Sequence, residues 1–219
     1  ETSWLKDGVF PDLIETSGIP VDIPLFNSDA SKKYLEKIDF STDVKTITLA
    51  SGKEGIGDFS GIVASVAKST DKPLQIITVC GCNKKQFQTL QEMKPQLPKH
   101  IKLEILGFIP RIDLVSFIQA SDLFITKAGG LSPTEAFSLG KPTILLNVIS
   151  GHERKNAELF AKLGLAEINT EVAKIGVQVQ TLLNDGEKQT AMLAAQQDFR
   201  DNMNINKIVS FLLNPQIKA

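Results

Sequence analysis

Near the middle of the chain an apolar run leads into two glycines and a helical pattern, in the sequence Leu123-Phe124-Ile125-Thr126-Lys127-Ala128-Gly129-Gly130-Leu131-Ser132-Pro133-Thr134-Glu135. The apolar run predicts a strand over 123–126. Ser132, Pro133 and Glu135 match the N-cap, N1 and N3 positions of a capping box, which predicts a helix over 133–139. A helix N-terminus behind small residues is also a natural phosphate site. Structural capping and ligand binding both stay open, since a carboxylate at 135 could serve the helix and ribose hydroxyls alike.

The same strand-then-helix pattern continues on both sides of this stretch. From residue 44 onward, apolar runs of strand length alternate with segments of helical spacing. The runs are nearly continuous, which is typical of parallel strands covered on both faces. We therefore predict an α/β protein with a doubly wound, Rossmann-like parallel sheet. The predicted strands are 44–50, 74–80, 101–106, 123–126, 143–147 and 165–168.

The predicted helices lie between these strands and beyond the last one. Asp58 and Asn83 each precede a helical pattern and belong to the residue types that favour N-cap positions. Gly140 and Gly164 follow helical patterns and predict helix ends. The predicted helices are 30–38, 59–68, 83–93, 112–120, 133–139 and 153–163, with two or three more between 171 and 213.

The first part of the chain differs from the rest. Residues 1–29 contain three prolines and only short apolar stretches, which indicates an extended connector or the remnant of an upstream domain. We accordingly divide the chain into residues 1–43 and a domain over 44–219. Because the chain begins at Glu1 and not at Met, we expect it to be a processed product or a fragment.

Composition narrows the function classes. The chain has 24 basic and 25 acidic residues, and this balance argues against a dedicated nucleic-acid binder. Cys80 and Cys82 have neither zinc nor redox spacing, and with two histidines we predict no metal site. No apolar run approaches the ~18 residues of a membrane span. We expect a reduced cytoplasmic protein, with peripheral contact at the inner face of the membrane left open.

Glycine-rich loops follow the predicted strands, at 51–57, 81–83, 107–110, 127–131 and 148–151. In a parallel sheet these loops share one edge, where such folds bind ligands. The loop at Gly52 and Lys53 is neither a P-loop nor a dinucleotide fingerprint, so a plain turn and a phosphate contact are both open. Lys127 is interpreted as a solvated cation, with a role beside phosphate left open. His152 and Glu153 begin a helix, where Glu153 suits the helix dipole or a sugar hydroxyl.

Around this central stretch the sequence resembles glycosyltransferase family 28, closest to the diacylglycerol glycosyltransferases of galactolipid-synthase and processive-glucosyltransferase type. The resemblance rests on Ile125–Ala136 followed by Leu139-Gly140-Lys141-Pro142, and it spans about residues 45–170. Each further piece is weak alone, but their order and spacing are specific. These pieces are Cys80-Gly81-x-Asn83-Lys84-Lys85, Gly107-Phe108, Ser121-Asp122-Leu123 and Gly151-His152-Glu153 with Asn156.

The resemblance implies one domain of a GT-B architecture, in which two Rossmann-like domains flank a cleft. In that family the C-terminal domain holds the UDP-sugar, and the N-terminal domain holds the acceptor and usually the catalytic base. This chain would then be the donor-binding domain of an inverting enzyme that moves a hexose from a UDP-sugar to a lipid such as diacylglycerol, with no cofactor. The acceptor domain would lie outside the chain, apart from residues 1–29 and the late helices, which in this family pack back onto that domain. Residues 1–43 would be a connector or a remnant of it, and no catalytic residue is predicted within the chain.

The resemblance also implies site residues. Glu135 would bind the ribose, the backbone of Phe108 and Ile109 the uracil, and His152 and Glu153 the donor sugar. The diphosphate would lie on Gly129, Gly130 and Ser132. Family members often have a run of glycines after the first strand; here Ser51-Gly52-Lys53 puts the phosphate or acceptor contact in doubt, although the charge of Lys53 could compensate. Two alternatives are a non-catalytic donor-binding subunit completed by a separate acceptor-domain partner, and a sugar-nucleotide epimerase.

Overall fold

Six strands of the described residues form one parallel sheet in the order β3-β2-β1-β4-β5-β6. The structure, a computed structural model, describes residues 6–10, 18–21, 28–146, 151–203 and 205–213, with their side chains except those of 28–32, 152, 205, 211 and 212. The doubly wound parallel sheet predicted from the sequence is confirmed. The strands are β1 (Thr46–Ala50), β2 (Leu74–Val79), β3 (Ile101–Leu106), β4 (Leu123–Lys127), β5 (Thr143–Leu146) and β6 (Glu167–Asn169).

Helices cover both faces of the sheet. Short 3-10 turns at Lys94–Gln96 and Val172–Lys174 extend two of the connections. Within the described ranges the helices are α1 (Ser28–Lys37), α2 (Phe59–Lys68), α3 (Lys84–Met93), α4 (Arg111–Ala120), α5 (Leu131–Ser138), α6 (Gly151–Lys162), α7 (Ile175–Asn184), α8 (Gly186–Asp201) and α9 (Ile205–Leu213).

The order of the strands creates a switch point between β1 and β4. The chain first builds outward from β1 to β2 and β3, and then returns to place β4 beside β1, with Ile47 opposite Leu123. The loops after β1 and β4 therefore run in opposite directions and leave a crevice between them. Both strands are almost wholly buried, which explains their continuous apolar sequences.

Apolar side chains pack on both faces of the sheet around β1 and β4. On one face Phe59 and Val63 of α2 pack with Ile47 and Leu49 of β1. The other face includes Phe117 and Ile118 of α4, packed with Leu35 of α1. Tyr34 of α1 also donates a hydrogen bond to Asp113 of α4, at 2.9 Å. Helix α1 thus packs on the sheet domain, and the predicted division at residue 43 stays a prediction.

The predicted capping box is wrong. Gly130 already has helical backbone angles, with φ −81° and ψ −52°, and α5 begins at Leu131 with no side-chain cap. The helix therefore starts two residues earlier than predicted, and Ser132 and Pro133 lie inside its first turn. Glu135 is then too far along the helix to close a box, and its carboxylate is available for a tertiary contact.

Two other predicted caps are confirmed. Asp58 accepts a hydrogen bond from the backbone N–H of Gly61 at 2.8 Å, and Asn83 accepts one from Gln86 at 3.0 Å. The remaining element ends agree with the sequence prediction within about two residues, a usual margin for helix and strand ends.

We expect Asp58→Ala to lower the free energy of unfolding by about 1 kcal/mol, because it removes the acceptor for an unpaired helix amide. Urea denaturation followed by circular dichroism measures the change. Asp71→Ala, which removes an exposed aspartate from the loop before β2, is the matched control and should leave the midpoint unchanged. Equal midpoints for both variants would show that the cap does not stabilise α2.

Candidate functional site

A cavity of about 470 Å³ opens at the carboxyl edge of the sheet, beside the switch point. Loops after β1, β2, β3 and β4 form its walls together with the first turns of α4 and α5. Its size is in the range of small-ligand sites, about 300–1,000 Å³. The lining residues are Ala50, Gly52, Lys53, Val79, Gly81, Phe108, Ile109, Arg111, Leu114, Thr126, Lys127, Gly129, Gly130, Leu131, Ser132, Pro133 and Glu135.

Eight of the ten predicted site residues lie in the wall of this one cavity. They come from the loops after β1, β3 and β4 and from helix α5, which the parallel sheet brings to one edge. Glu153 does not line the cavity, but its carboxylate is paired with Lys127, which does. The side chain of His152 lies outside the described residues. The eight are Gly52, Lys53, Phe108, Ile109, Gly129, Gly130, Ser132 and Glu135.

The loops after β1 and β2 interlock and so fix the position of Gly52 and Lys53. Cys82 donates its backbone N–H to the carbonyl of Lys53 at 2.7 Å. Gly81 has φ +58°, and a Cβ there would come within 2.2 Å of that same carbonyl. Only a glycine leaves room for this approach. The loop at Gly52 and Lys53 is thus a braced wall of the cavity.

The start of α5 presents backbone N–H groups to the cavity. The first amides of an α-helix have no partner inside the helix, and in this case they belong to Leu131 and Ser132. Pro133 follows, and it has no N–H to satisfy. No acidic side chain occupies the first turn of α5, so the positive end of the helix dipole is not neutralised there. This helix start can therefore accept an anion.

Glu135 is buried about one turn farther along α5 and is paired with Arg111. Its side chain is 3% exposed, and its Oε1 accepts a hydrogen bond from Arg111 Nε at 2.5 Å. Burial raises the pKa of Glu135, while the Arg111 guanidinium acts in the opposite direction. Ionising this carboxyl therefore costs the folded state free energy. A buried acid with a raised pKa in a cleft is a feature of binding and catalytic sites.

Lys127 is paired and half-buried, so its interpretation as a solvated cation is wrong. Its Nζ lies 2.6 Å from Glu153 Oε1, and 27% of its side chain is exposed. The stem passes close to Gly52, where a Cβ would lie 3.3 Å from Lys127 Cε. Asn156 adds a second link from α6 by donating to the carbonyl of Ala128 at 3.1 Å. Helix α6 is therefore tied to the loop after β4 through Glu153 and Asn156.

The end of the cavity nearest β3 is apolar. Phe108 is 64% exposed at its edge, and Ile109, Leu114 and Val79 line the same wall. An apolar wall next to backbone N–H and C=O groups suits a planar base, which stacks by its face and hydrogen-bonds by its edge.

Arg111 is the charged residue of the cavity wall that sequence analysis did not single out. The sequence shows that Arg111 follows Pro110 directly, before a predicted helix, and that it is close in sequence to Phe108 and Ile109. Its pairing with Glu135 was not, because the two residues lie on different helices whose mutual packing has no local sequence signal. A cation just after the loop at Phe108 and Ile109 was the only available indication.

Among the residues that the structure describes, no three or more His, Cys, Asp and Glu side chains form a group that could hold a metal ion. The prediction that no metal takes part stays a prediction. No helix in the same ranges is both long and apolar enough to cross a membrane.

The fold is that of a Rossmann-like domain with a cavity at its switch point. The chain belongs to glycosyltransferase family 28, because the C-terminal domain of that family matches residues 46–206. A processive diacylglycerol beta-glucosyltransferase of Bacillus pumilus is 32% identical over 186 residues, or 84% of this chain and 47% of that protein. The chain spans about half the length of the curated relatives it matches.

Solved structures share the fold at low sequence identity. A Listeria monocytogenes protein described as a UDP-N-acetylglucosamine 2-epimerase has a TM-score of 0.69 and 18% identity, over all of this chain and 58% of its own. MurG of Acinetobacter baumannii has a TM-score of 0.59 and 21% identity, over 85% of this chain and 58% of its own. The Rossmann-like fold of a GT-B glycosyltransferase domain, implied by the resemblance, is thereby confirmed.

Proposed function

We propose that the cavity binds the UDP-sugar donor of a hexosyltransferase. The observation that carries this proposal is the position of Glu135 and the start of α5 on the walls of one cavity. A buried carboxylate suits neutral hydroxyl donors, and an uncapped helix start suits a diphosphate. A nucleoside diphosphate carries both groups in one molecule, joined to a flat base.

The base, ribose and phosphates then take different walls. The uracil lies at the apolar end and hydrogen-bonds the backbone of Phe108 and Ile109. Glu135 accepts hydrogen bonds from the ribose hydroxyls. The diphosphate lies at the start of α5, against Gly129, Gly130 and Ser132. Gly52 and Lys53 face it from the loop after β1.

Stabilising the negative charge on the diphosphate is the main chemical task that we assign to this chain. In direct displacement at the anomeric carbon, the leaving UDP gains negative charge as the glycosidic bond breaks. The amides of Leu131 and Ser132 are already oriented and need no rearrangement to stabilise that charge. Lys127 lies close enough to add its own charge, provided that the diphosphate shares it with Glu153. No cofactor enters this proposal.

The donor sugar is expected on the side of α6, beyond the phosphates. Glu153 is held near the loop after β4 by Lys127 and can accept a sugar hydroxyl from that position. His152 precedes it in the first turn of α6. The B. pumilus relative is named a diacylglycerol glucosyltransferase, and we extend its class to this chain as transfer of a hexose to a lipid acceptor. The acceptor and the catalytic base are assigned to residues outside this chain, with peripheral membrane contact.

Calorimetric titration of UDP into the chain tests donor binding directly. We expect saturable binding with a dissociation constant in the micromolar range, whereas ADP should bind at least about tenfold more weakly, because the donor and acceptor pattern of adenine does not match the backbone contacts that we assign to uracil. UDP-glucose and UDP-galactose, titrated in parallel, show which hexose gains affinity beyond UDP. Failure of UDP to bind at millimolar concentration would refute the proposal.

Two other functions can be distinguished from the proposed one by activity assays. A sugar-nucleotide epimerase would convert UDP-N-acetylglucosamine with no acceptor present, and a product assay on that compound alone would reveal it. The epimerase-type neighbour shares the fold at 18% identity, which carries no argument for its reaction. A donor-binding subunit would bind UDP, as we propose, but would transfer sugar only after a separate acceptor-domain protein is added.

A further inference from the structure

We infer that Arg111 is a positioning residue that holds the Glu135 carboxylate charged and oriented, and that it thereby sets selectivity for ribonucleotides over deoxyribonucleotides. The inference rests on the proposed function, because it assigns the ribose to the wall formed by Glu135. It concerns a residue outside the predicted site and a contact between two helices.

Arg111 and Glu135 have different roles in the proposed ribose contact. Arg111 is the first residue of α4 and lies in the wall of the cavity with 45% of its side chain exposed, while 3% of the Glu135 side chain is exposed. Only one carboxylate oxygen, Oε1, is engaged by Arg111 Nε. An ionised carboxylate accepts about four hydrogen bonds, so Oε2 stays available for hydroxyl donors from a ligand. This contact also restrains the position of Oε1, and with it the carboxylate.

Other charged side chains around α5 have different partners or lie farther along the helix. Lys127 at the end of β4 is paired with Glu153. Asp113 of α4 accepts a hydrogen bond from Tyr34. Arg200 of α8 donates to the carbonyl of Ser138, at the far end of α5. Strand β5 contributes no charged residue to this packing, and Lys53 lines the cavity from the loop after β1.

The chemical consequence follows from the two protonation states of Glu135. The charged form accepts from both hydroxyls of a ribose, whereas the protonated form has lost acceptor capacity and competes as a donor. Burial raises the pKa of Glu135, and Arg111 is the group that opposes this rise. Without Arg111 the rise is unopposed, so a larger fraction of Glu135 is protonated at neutral pH. The preference for a ribose should then disappear at a higher pH than in the wild type.

The test is the ratio of the dissociation constants of dUDP and UDP, measured by calorimetry from about pH 5.5 to 8.5. Both ligands have the same titrating diphosphate, so the ratio isolates the ribose contact. We expect the wild-type chain to prefer UDP by on the order of tenfold at the upper end, with the preference falling as Glu135 is protonated. Arg111→Gln should move this fall to higher pH, and Arg111→Lys should restore most of the wild-type profile. Glu135→Gln should give a flat ratio.

The outcomes separate this inference from the function on which it rests. If Arg111→Gln keeps the wild-type profile, or if the wild type binds UDP without preferring it to dUDP, then the inference is overturned while UDP binding stands. If UDP does not bind to the wild type at all, both fail. Thermal unfolding of each variant identifies any loss caused by misfolding, and Arg111→Lys, with its charge kept, retains a folded comparison for the pH profile.

Discussion

Replacing Glu135 by glutamine should weaken UDP binding by on the order of a hundredfold. Each hydrogen bond to a charged group contributes about 1.5–3 kcal/mol, and we assign two ribose hydroxyls to this carboxylate. Glutamine has nearly the same shape but only one acceptor oxygen and no charge, so it removes the contact without opening a cavity. It also replaces the charged partner of Arg111 at 2.5 Å by a neutral one. Calorimetry of the variant with UDP measures the loss.

A second glutamate variant controls for this experiment. Glu187 is exposed in the first turn of α8 and contributes nothing to the cavity wall, so Glu187→Gln should bind UDP with wild-type affinity. Both variants must show cooperative thermal unfolding before their affinities are compared. Wild-type affinity in Glu135→Gln would mean that its carboxylate serves only the contact between α4 and α5, and the ribose assignment would have to be abandoned.

The parts of this molecule that follow from local pattern were predictable. The strand β4 was predictable from an apolar run that leads into Gly129, and the cap at Asp58 from its place before a helical segment. Once the strands are known to be parallel, their following loops must meet at one edge. That rule alone places Gly52, Phe108 and Gly129 around a common space, although they are far apart in the sequence.

Contacts between neighbouring elements were not predictable in the same way. The capping box at Ser132 and Glu135 had the right residue types and spacing, but the helical backbone angles of Gly130 moved the helix start by two residues. Tertiary packing then gave the Glu135 carboxylate a partner on another helix. Lys127 was likewise interpreted from its residue type, whereas α6 placed Glu153 within 2.6 Å of it. Such pairs depend on how helices pack together, which one sequence does not encode locally.

The largest effect on stability is expected from Gly55→Ala. Gly55 has φ +53°, a conformation that costs an alanine about 1 kcal/mol, and a Cβ there would lie 2.0 Å from the carbonyl oxygen of Cys80. That oxygen belongs to the backbone at the end of β2 and cannot turn away as a side chain would. Forcing the two loops apart adds the cost of overpacking, so we expect a total loss of about 2–4 kcal/mol of unfolding free energy. This is a large share of the ~5–15 kcal/mol that stabilises a typical domain.

Gly55→Ala should affect ligand binding as well as stability. The carbonyl of Gly55 accepts hydrogen bonds from the side chains of Asn83 at 3.0 Å and Gln86 at 2.9 Å, which hold the loop that carries Gly52 and Lys53. Displacing this loop should therefore weaken UDP binding even in the molecules that stay folded. Gly186→Ala is the matched control, because a Cβ there meets nothing within 4 Å, and its stability and affinity should equal those of the wild type. A Gly55→Ala variant as stable as Gly186→Ala would show that the two loops can separate freely, and the braced wall would then play no part in holding the phosphates.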